Sequence, residues 1–345
     1  MEPVAVITGA NAGVGLAIAQ RLLTEKGGVR ICLACRNLQK ANSARQQLLS
    51  EHPLAQVDVV QMDTSSVASS VKAAKEIRQR YNHVDWLFCN AGIMPVTGLN
   101  WGTLWPPTLS NYTHLFSTGG DILRIKDDVT PDGLREIFAT NVFGHFLLIK
   151  ELEDFLSSQG RPCHIVWTSS SSASKAEVDL DNIQAEKGKD PYAVSKKVID
   201  LLSIELNREL SPKGVYSHTT CPGLVMSQMT YSILPKWVWS LLFPILVLVR
   251  SVPSSPASHC PSHQIRLLIT PTMTIDASNG AEAMMWLAHT DPATVDPGVK
   301  YVSTVSALGM RYVARHAIKG QQADLTQAVY KKLERIRTQC IAKGT

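Results

Sequence analysis

The sequence predicts an α/β chain built on one doubly wound, parallel sheet, and three observations carry that prediction. Short apolar runs of strand length alternate with longer stretches of helical spacing over the first two hundred or so residues. Alternation of this kind implies a parallel sheet with helices on both faces. A glycine-rich turn joins the first apolar run to the first helical stretch. The chain has 345 residues, 45% of them hydrophobic and 18% charged, which is enough to bury one large core.

Taken in order, Val4–Thr8 is a buried-strand run and Val14–Leu23 has helical apolar spacing. Arg30–Cys35 and Leu38–Leu49 repeat the pair, as do Val57–Met62 and Val67–Tyr81. Val84–Cys89 is the fourth strand. Asp132–Leu156 reads as one long helix, Cys163–Thr168 as a strand, Asp190–Leu210 as a helix, and Val215–Cys221 as a strand ended by Pro222-Gly223. Two insertions interrupt the alternation. Residues 95–130, with Trp101, Trp105, Pro106 and Pro107, sit between a strand and a helix and read as a rim loop. Residues 224–278 open on an apolar run, Trp237–Val249, and continue into a Ser-, Pro- and His-rich stretch, Ser251–Ser262, of the composition of a flexible segment. Ala277–His289 returns to helical spacing, and Val299–Thr304 closes the sheet. The expected organisation is one domain over 1–310 and a helical tail over 311–345, whose amphipathic part spans about 320–343.

A net charge of +5 without a dense basic run argues against nucleic acid and leaves a weak attraction to anionic membrane surfaces. Seven cysteines, an odd number without a framework, and a chain that starts almost directly on a strand point to a reducing, cytosol-facing location without a signal peptide. Cys32 and Cys35 have the spacing of a redox motif but lie within an apolar strand, where successive side chains alternate between faces. His145, His259 and His263 have no partnered ligand set at metal spacing, so no metal is expected. Trp237–Val249 is about 13 residues and holds a proline, too short against the roughly 20 apolar residues of a spanning helix. It reads as an interfacial anchor or as a buried lid.

Thr8-Gly9-Ala10-Asn11-Ala12-Gly13-Val14-Gly15 follows the first strand and opens the first helix. Glycines there admit a phosphate to backbone N–H groups, and the helix start adds a favourable dipole. The second strand ends in Ala34-Cys35-Arg36-Asn37. No carboxylate stands there to bind a ribose 2′-hydroxyl, whereas Arg36 can hold a 2′-phosphate, so the pattern favours NADP(H) over NAD(H). Asp63, after the third strand, can accept a hydrogen bond from an adenine amino group. Asn90-Ala91-Gly92 lets the backbone lie along the cofactor.

Tyr192-Ala193-Val194-Ser195-Lys196 places a phenol and an ammonium one helical turn apart, on one face. A free phenol has a pKa of about 10, and a neighbouring cation lowers it toward useful proton transfer.

Thr8–Gly15, Asn90-Ala91-Gly92, Asn141, Thr168-Ser169-Ser170, Tyr192–Lys196 and Pro222-Gly223 occur together in an order that resembles the short-chain dehydrogenase/reductase family, over roughly residues 4–228. The resemblance implies a Rossmann-type fold and NADPH-dependent carbonyl reduction. It implies that Tyr192 is the general acid, that Lys196 lowers the Tyr192 pKa and holds the nicotinamide ribose, and that Ser170 hydrogen-bonds the substrate carbonyl. Asn141 would fix a water that relays protons to Lys196. Ser169, Ser171 and Ser172 are neighbouring alternatives to Ser170, which is preferred because it leaves the strand end beside the nicotinamide. Pro222, Gly223, Val225 and Ser227 would contact the nicotinamide side. Longer strings, among them Cys32–Asn37, Asn141–His145 and Ile165–Ser170, resemble family members that reduce steroid ketones. That implies a sterol or steroid ketone substrate in cholesterol synthesis, including the 17-ketone of estrone, residence at the endoplasmic reticulum membrane, and a homodimer through the Tyr192 helix and its predecessor. Retinal or another lipid carbonyl is the competing substrate class, and a non-catalytic NADP-binding sensor the competing non-enzyme reading. Val252–Asp276 departs from the family pattern and reads either as an insertion or as the product of aberrant splicing.

Overall fold

A computed structural model describes residues 2–99, 123–188, 190–225, 271–272, 276–306 and 309–344. Trp237–Val249, Ser227, His259, His263 and nearly all of 252–276 lie outside the described residues.

The alternating pattern folds as expected. Strands β1 (Val4–Thr8), β2 (Arg30–Cys35), β3 (Val57–Gln61) and β4 (Trp86–Cys89) alternate with helices α1 (Gly13–Glu25), α2 (Leu38–Glu51) and α3 (Val67–Arg80). A two-stranded ribbon, β5 (Val96–Leu99) with β6 (Leu123–Ile125), stands in the rim insertion. Helix α4 (Gly144–Ser158), β7 (Cys163–Thr168), α5 (Pro191–Leu210) and β8 (Val215–Cys221) complete the parallel part. The short β9 (Pro271–Thr272), α6 (Glu282–His289), β10 (Val299–Ser306), β11 (Arg311–Ala317) and α7 (Ala323–Gly344) follow. The main sheet runs β3-β2-β1-β4-β7-β8-β10-β11, with β9 and β11 antiparallel to β10 and every other pair parallel. The order in which the chain adds strands reverses between β1 and β4, and ligands in such sheets sit at that switch, beyond the carboxyl ends of the strands.

Two apolar layers flank the sheet. One joins α3, α4 and α5 to residues such as Val6, Leu87 and Ile165. The other joins α1, α2 and α6 to Ile7, Leu33 and Phe88. Cys32 belongs to the first layer and Cys35 to the second. The strand alternation therefore parts the two thiols, and burial pushes them up to about 12 and about 11.

Two sequence expectations need correction. The helix expected over Asp132–Leu156 begins only at Glu136 and is interrupted by a π-helical turn, Ala139–Phe143, before α4. Asp132 is spent on the backbone N–H of Val67, at 2.9 Å, and Gly133 takes φ +79°, so neither can serve the helix. The tail expected over 311–345 starts as strand β11, paired with β10 from Val299↔Ala317 to Val305↔Arg311. Its helix then buries Val329, Leu333 and Ile336, an i, i+4, i+7 stripe, in the layer of α4 and α5. The Tyr330 ring stands edge-on to Phe146 at 5.9 Å, and Arg337 pairs with Glu151 of α4. The face on which a dimer through α4 and α5 was expected is thus covered by the chain's own α7. Leu333→Ala is expected to cost about 2–5 kcal/mol of unfolding free energy, the usual range for a fully buried leucine, measured by urea titration.

Candidate active site

The carboxyl ends of β1, β4, β7 and β8 converge. At the end of β1, Gly9 takes φ +66° and a Cβ there would lie 3.0 Å from Ala91 Cα, so only glycine fits the turn. A Cβ on Gly15 would lie 2.6 Å from Asn90 Nδ2 and from the Gly9 carbonyl, so α1 packs tightly on the loop. The N-cap of α1, Ala12, offers no side-chain acceptor, which leaves the first-turn N–H groups at Val14 and Gly15 for an anion. This cradle suits a dinucleotide pyrophosphate. Asn11 and Gly13 complete the loop, Gly13 at φ +58°.

Thr8 plays a different part from the one expected. It is fully buried, and its hydroxyl accepts the N–H groups of Asn90 and Ala91 at 2.8 and 2.9 Å. It holds the loop from behind rather than facing a ligand. Asn90 donates its side-chain amide to the Thr8 carbonyl at 3.0 Å and accepts from Thr168 at 3.4 Å, tying the ends of β1, β4 and β7. Arg36 is 68% exposed at the end of β2, its Nε 4.0 Å from the Asp63 carboxylate. The expected adenosine-side pair is therefore brought together, with the guanidinium open to solvent.

Tyr192 lies in the first turn of α5, which starts with Asp190 capping the Ala193 N–H at 2.9 Å and Pro191 in the first turn. The Lys196 ammonium, one turn on, is 5.5 Å from the Tyr192 ring centroid and donates to the Thr168 carbonyl at 2.8 Å. Ser170 leaves the end of β7 and hydrogen-bonds the Tyr192 phenol. The other serines are placed elsewhere. Ser169 is buried and donates to Asp200 at 2.7 Å, Ser172 is buried against Ser170 Oγ at 3.1 Å, and Ser171 is exposed on the turn.

Burial governs the electrostatics of the pair. Burial is the dominant influence on Tyr192 and raises its pKa; the Ser170 hydrogen bond opposes it. The Lys196 ammonium, held on the Thr168 carbonyl, stands 5.5 Å from the ring, and burial outweighs the groups that would lower the phenol. Burial in turn pushes Lys196 down to about 8, with Asp200 opposing. A phenol that keeps its proton at neutral pH is in the state a proton donor needs.

Asn141 sits in the π-helical turn, a local widening frequent at functional sites. Its side chain accepts from the Ile93 N–H at 2.8 Å and donates to the Ile93 carbonyl and to Ser195 Oγ, both at 3.1 Å. A Cβ on Gly92 would lie 3.1 Å from Asn141 Oδ1 and 3.6 Å from Lys196 Nζ, so these three residues form one cluster. The Asn141 carbonyl accepts from His145 Nδ1 at 3.2 Å, and His145 Nε2 faces the Thr8 hydroxyl at 2.9 Å. On the far side, Pro222 and Gly223 follow β8, Gly223 at φ +73°, and Val225 packs on Gly280, where a Cβ would lie 2.5 Å from Val225 Cγ2.

Three contributors were missed: Asp200, Lys300 and His145 as a linker. Asp200, four residues beyond Lys196, could have been flagged as a charge on the inner face of its helix. Lys300 carries no sequence signal, since strand pairing alone brings β10 beside β8.

A sheet of this order, a glycine cradle at its switch point, and a serine, tyrosine and lysine at the end of β7 define a nucleotide-dependent oxidoreductase acting on an alcohol or carbonyl. The chain belongs to the short-chain dehydrogenase family, whose model matches residues 3–106 and 117–236. It is 43% identical over 333 residues to 3-keto-steroid reductase/17-beta-hydroxysteroid dehydrogenase 7 of Rattus norvegicus, covering 96% of this chain and 93% of that protein. It is 40% identical to the Homo sapiens protein of the same name, with the same coverage. The 3-keto-steroid reductase erg27 of Schizosaccharomyces pombe is 30% identical over 88% of this chain and 87% of its own. Among solved structures, levodione reductase superposes with a TM-score of 0.58 at 18% identity, covering 88% of this chain and 95% of that one, which speaks to the fold alone.

Proposed function

We propose that this chain is an NADPH-dependent 3-keto-steroid reductase that converts sterol 3-ketones of the zymosterone type to 3β-hydroxysterols, and that it also reduces the 17-ketone of estrone. The observation that carries the reading is the meeting of Ser170, Tyr192 and Lys196 at the end of β7, in a chain 43% identical to a relative bearing that name.

The cradle of Gly9, Asn11, Gly13, Val14 and Gly15 would hold the pyrophosphate, Arg36 the 2′-phosphate and Asp63 the adenine. Asn90, Ala91, Gly92, Lys196, Pro222, Gly223, Val225 and Ser227 would line the nicotinamide half. When bound, the reduced nicotinamide supplies hydride to a carbonyl carbon. The Ser170 hydroxyl orients the carbonyl oxygen, and Tyr192 gives its proton to the oxygen as negative charge develops there. Lys196 places a positive charge behind the tyrosine and is near enough to its own pKa to pass a proton on. Asn141 holds Ile93 and Ser195, keeping the Gly92–Ile93 backbone against Lys196.

Residence at the endoplasmic reticulum membrane with the catalytic domain facing the cytosol fits the resemblance to sterol reductases. No helix of the described residues is long and apolar enough to cross a membrane. Contact would fall to residues 237–249, as anchor or lid. With α7 on the α4–α5 face, a homodimer would need another surface.

NADPH oxidation by purified protein, compared across zymosterone, estrone and all-trans-retinal, tests the assignment. Sterol ketones should be preferred; strong preference for retinal would overturn it, and cofactor binding without ketone-dependent oxidation would revive the sensor reading. Arg36→Ala should raise the KM for NADPH about 10–100-fold and leave that for NADH nearly unchanged. That is the worth of one or two charge-assisted hydrogen bonds, about 1.5–3 kcal/mol. Initial rates with the two cofactors measure it.

A further inference from the structure

Behind the serines lies a buried ion pair that the mechanism above does not use. Lys300 enters from β10, where it pairs with Thr219 of β8. Its ammonium donates to the Asp200 carboxylate at 2.7 Å and to the Ser170 carbonyl at 2.7 Å. The other Asp200 oxygen accepts from Ser169 Oγ at 2.7 Å. Both side chains are almost completely buried, at 8% and 3% exposure. One pair thus grips two consecutive residues, Ser169 by its hydroxyl and Ser170 by its backbone.

We propose that Lys300 and Asp200 are positioning residues for the reduction, holding the Ser169–Ser170 corner so that the Ser170 hydroxyl stays on Tyr192. Stability gives little reason for such a pair, because replacing a buried ion pair with apolar residues is often neutral or stabilising. The placement gives a reason. Ser169 turned inward onto Asp200 forces the next side chain to the opposite side, where Tyr192 stands. The Lys300 contact fixes the peptide between the serine and the turn that follows, and sub-ångström placement of a reacting group is worth large rate factors.

The pair also bears on Lys196. Asp200 lies one turn from it on α5, and Lys300 faces it from β10 with the opposite effect on its charge. Among the described residues, the other charged or titratable groups around it are Tyr192 on α5, Cys221 at the end of β8 and His145 on α4.

The inference rests on the reductase reading, and the experiment separates the two. Full-length protein is assayed with NADPH and zymosterone as Lys300→Met, as Asp200→Asn and as the charge-free double variant Lys300→Met/Asp200→Leu. Each should lose at least about tenfold in kcat, while the double variant keeps the wild-type melting temperature. Lys300→Met removes a like charge from the surroundings of Lys196 and should move the alkaline limb of kcat/KM up in pH. Asp200→Asn removes an opposite charge and should move it down. Recovery of both rate and melting temperature in the double variant would show a structural pair only and overturn the proposal, as would limbs that stay put or move together. If the wild type reduces no ketone, the reductase reading fails by itself. The pair is then judged by the pH dependence of NADPH affinity, followed by NADPH fluorescence, where the same opposed displacement is expected and its absence overturns the proposal.

Discussion

Tyr192→Phe is expected to cut the turnover of a sterol 3-ketone at least about a hundredfold while leaving NADPH affinity within about twofold, since a positioned acid is typically worth about 10²–10⁴ in rate. The substitution removes one oxygen. The ring remains against the Lys196 ammonium, 5.5 Å from its centroid, and the backbone of α5 keeps its Asp190 cap and Pro191 start. Ser170 loses a hydrogen-bond partner but keeps its contacts to Ser172 and, through its carbonyl, to Lys300. What disappears is the proton that would otherwise reach the developing alkoxide. The wild-type phenol lies in surroundings that raise its pKa, so proton donation should persist well into alkaline pH and activity should fall first where Lys196 loses its charge, near 8. Initial rates and NADPH titrations on wild type and variant measure both effects. A variant with more than a tenth of wild-type turnover would require another proton donor.

The parallel part of the fold was legible because its signals are local. Apolar runs of four to seven residues can only be buried strands when helices of matching length separate them, and the elements through β8 fall where that pattern puts them, apart from the broken helix ahead of α4. The glycine loop was legible for the same reason, since the turn from β1 into α1 needs Gly9 and Gly15 whatever lies elsewhere. Choosing among four consecutive serines was harder. The choice follows from Asp200, which draws Ser169 inward, and no spacing announces a partner 31 residues away. The Tyr192–Lys196 spacing correctly put both groups on one face, but spacing says nothing of how deeply they are buried. Burial is the largest influence on both, and it comes from the packing of α5 on β7 and β8. The same limit applies to α7. Its amphipathic pattern was plain, but its destination against α4 and α5 depends on surfaces formed by distant segments.

Acid should unfold this protein more steeply than its carboxylates alone would dictate, because three histidines are buried in neutral form. His164 and His218 face each other across β7 and β8, Nε2 to Nδ1 at 2.7 Å. His218 Nε2 points at the Val295 carbonyl at 3.0 Å and so carries its proton there, which leaves Nδ1 to accept from His164. A further proton on His218 would set two N–H groups against each other. His145 is fixed likewise, donating from Nδ1 to the Asn141 carbonyl and accepting from Thr8 at Nε2. Burial pushes His145 and His218 down to about 4, and His164 well below its ordinary value. Their unfolded values are about 6.5. Between the two limits the unfolded chain binds protons that the folded chain refuses. Stability is therefore fully present above about pH 6.5 and is lost as pH falls toward 4, by about 1.4 kcal/mol per pH unit for each histidine. Asp200 and Asp127, whose carboxyls burial holds above their ordinary value, act in the opposite sense. Urea midpoints measured at intervals between neutral pH and about pH 5 should fall along that slope. His218→Gln can still donate to the Val295 carbonyl but cannot be charged, so it should flatten the slope by about one proton. A slope equal to that of the wild type would mean that His218 stays uncharged on unfolding or is already protonated in the fold. Because His145 bridges Thr8 and Asn141 and stays neutral in the fold down to about 4, NADPH affinity should owe no weakening to His145 across this interval, the loss falling on global stability instead.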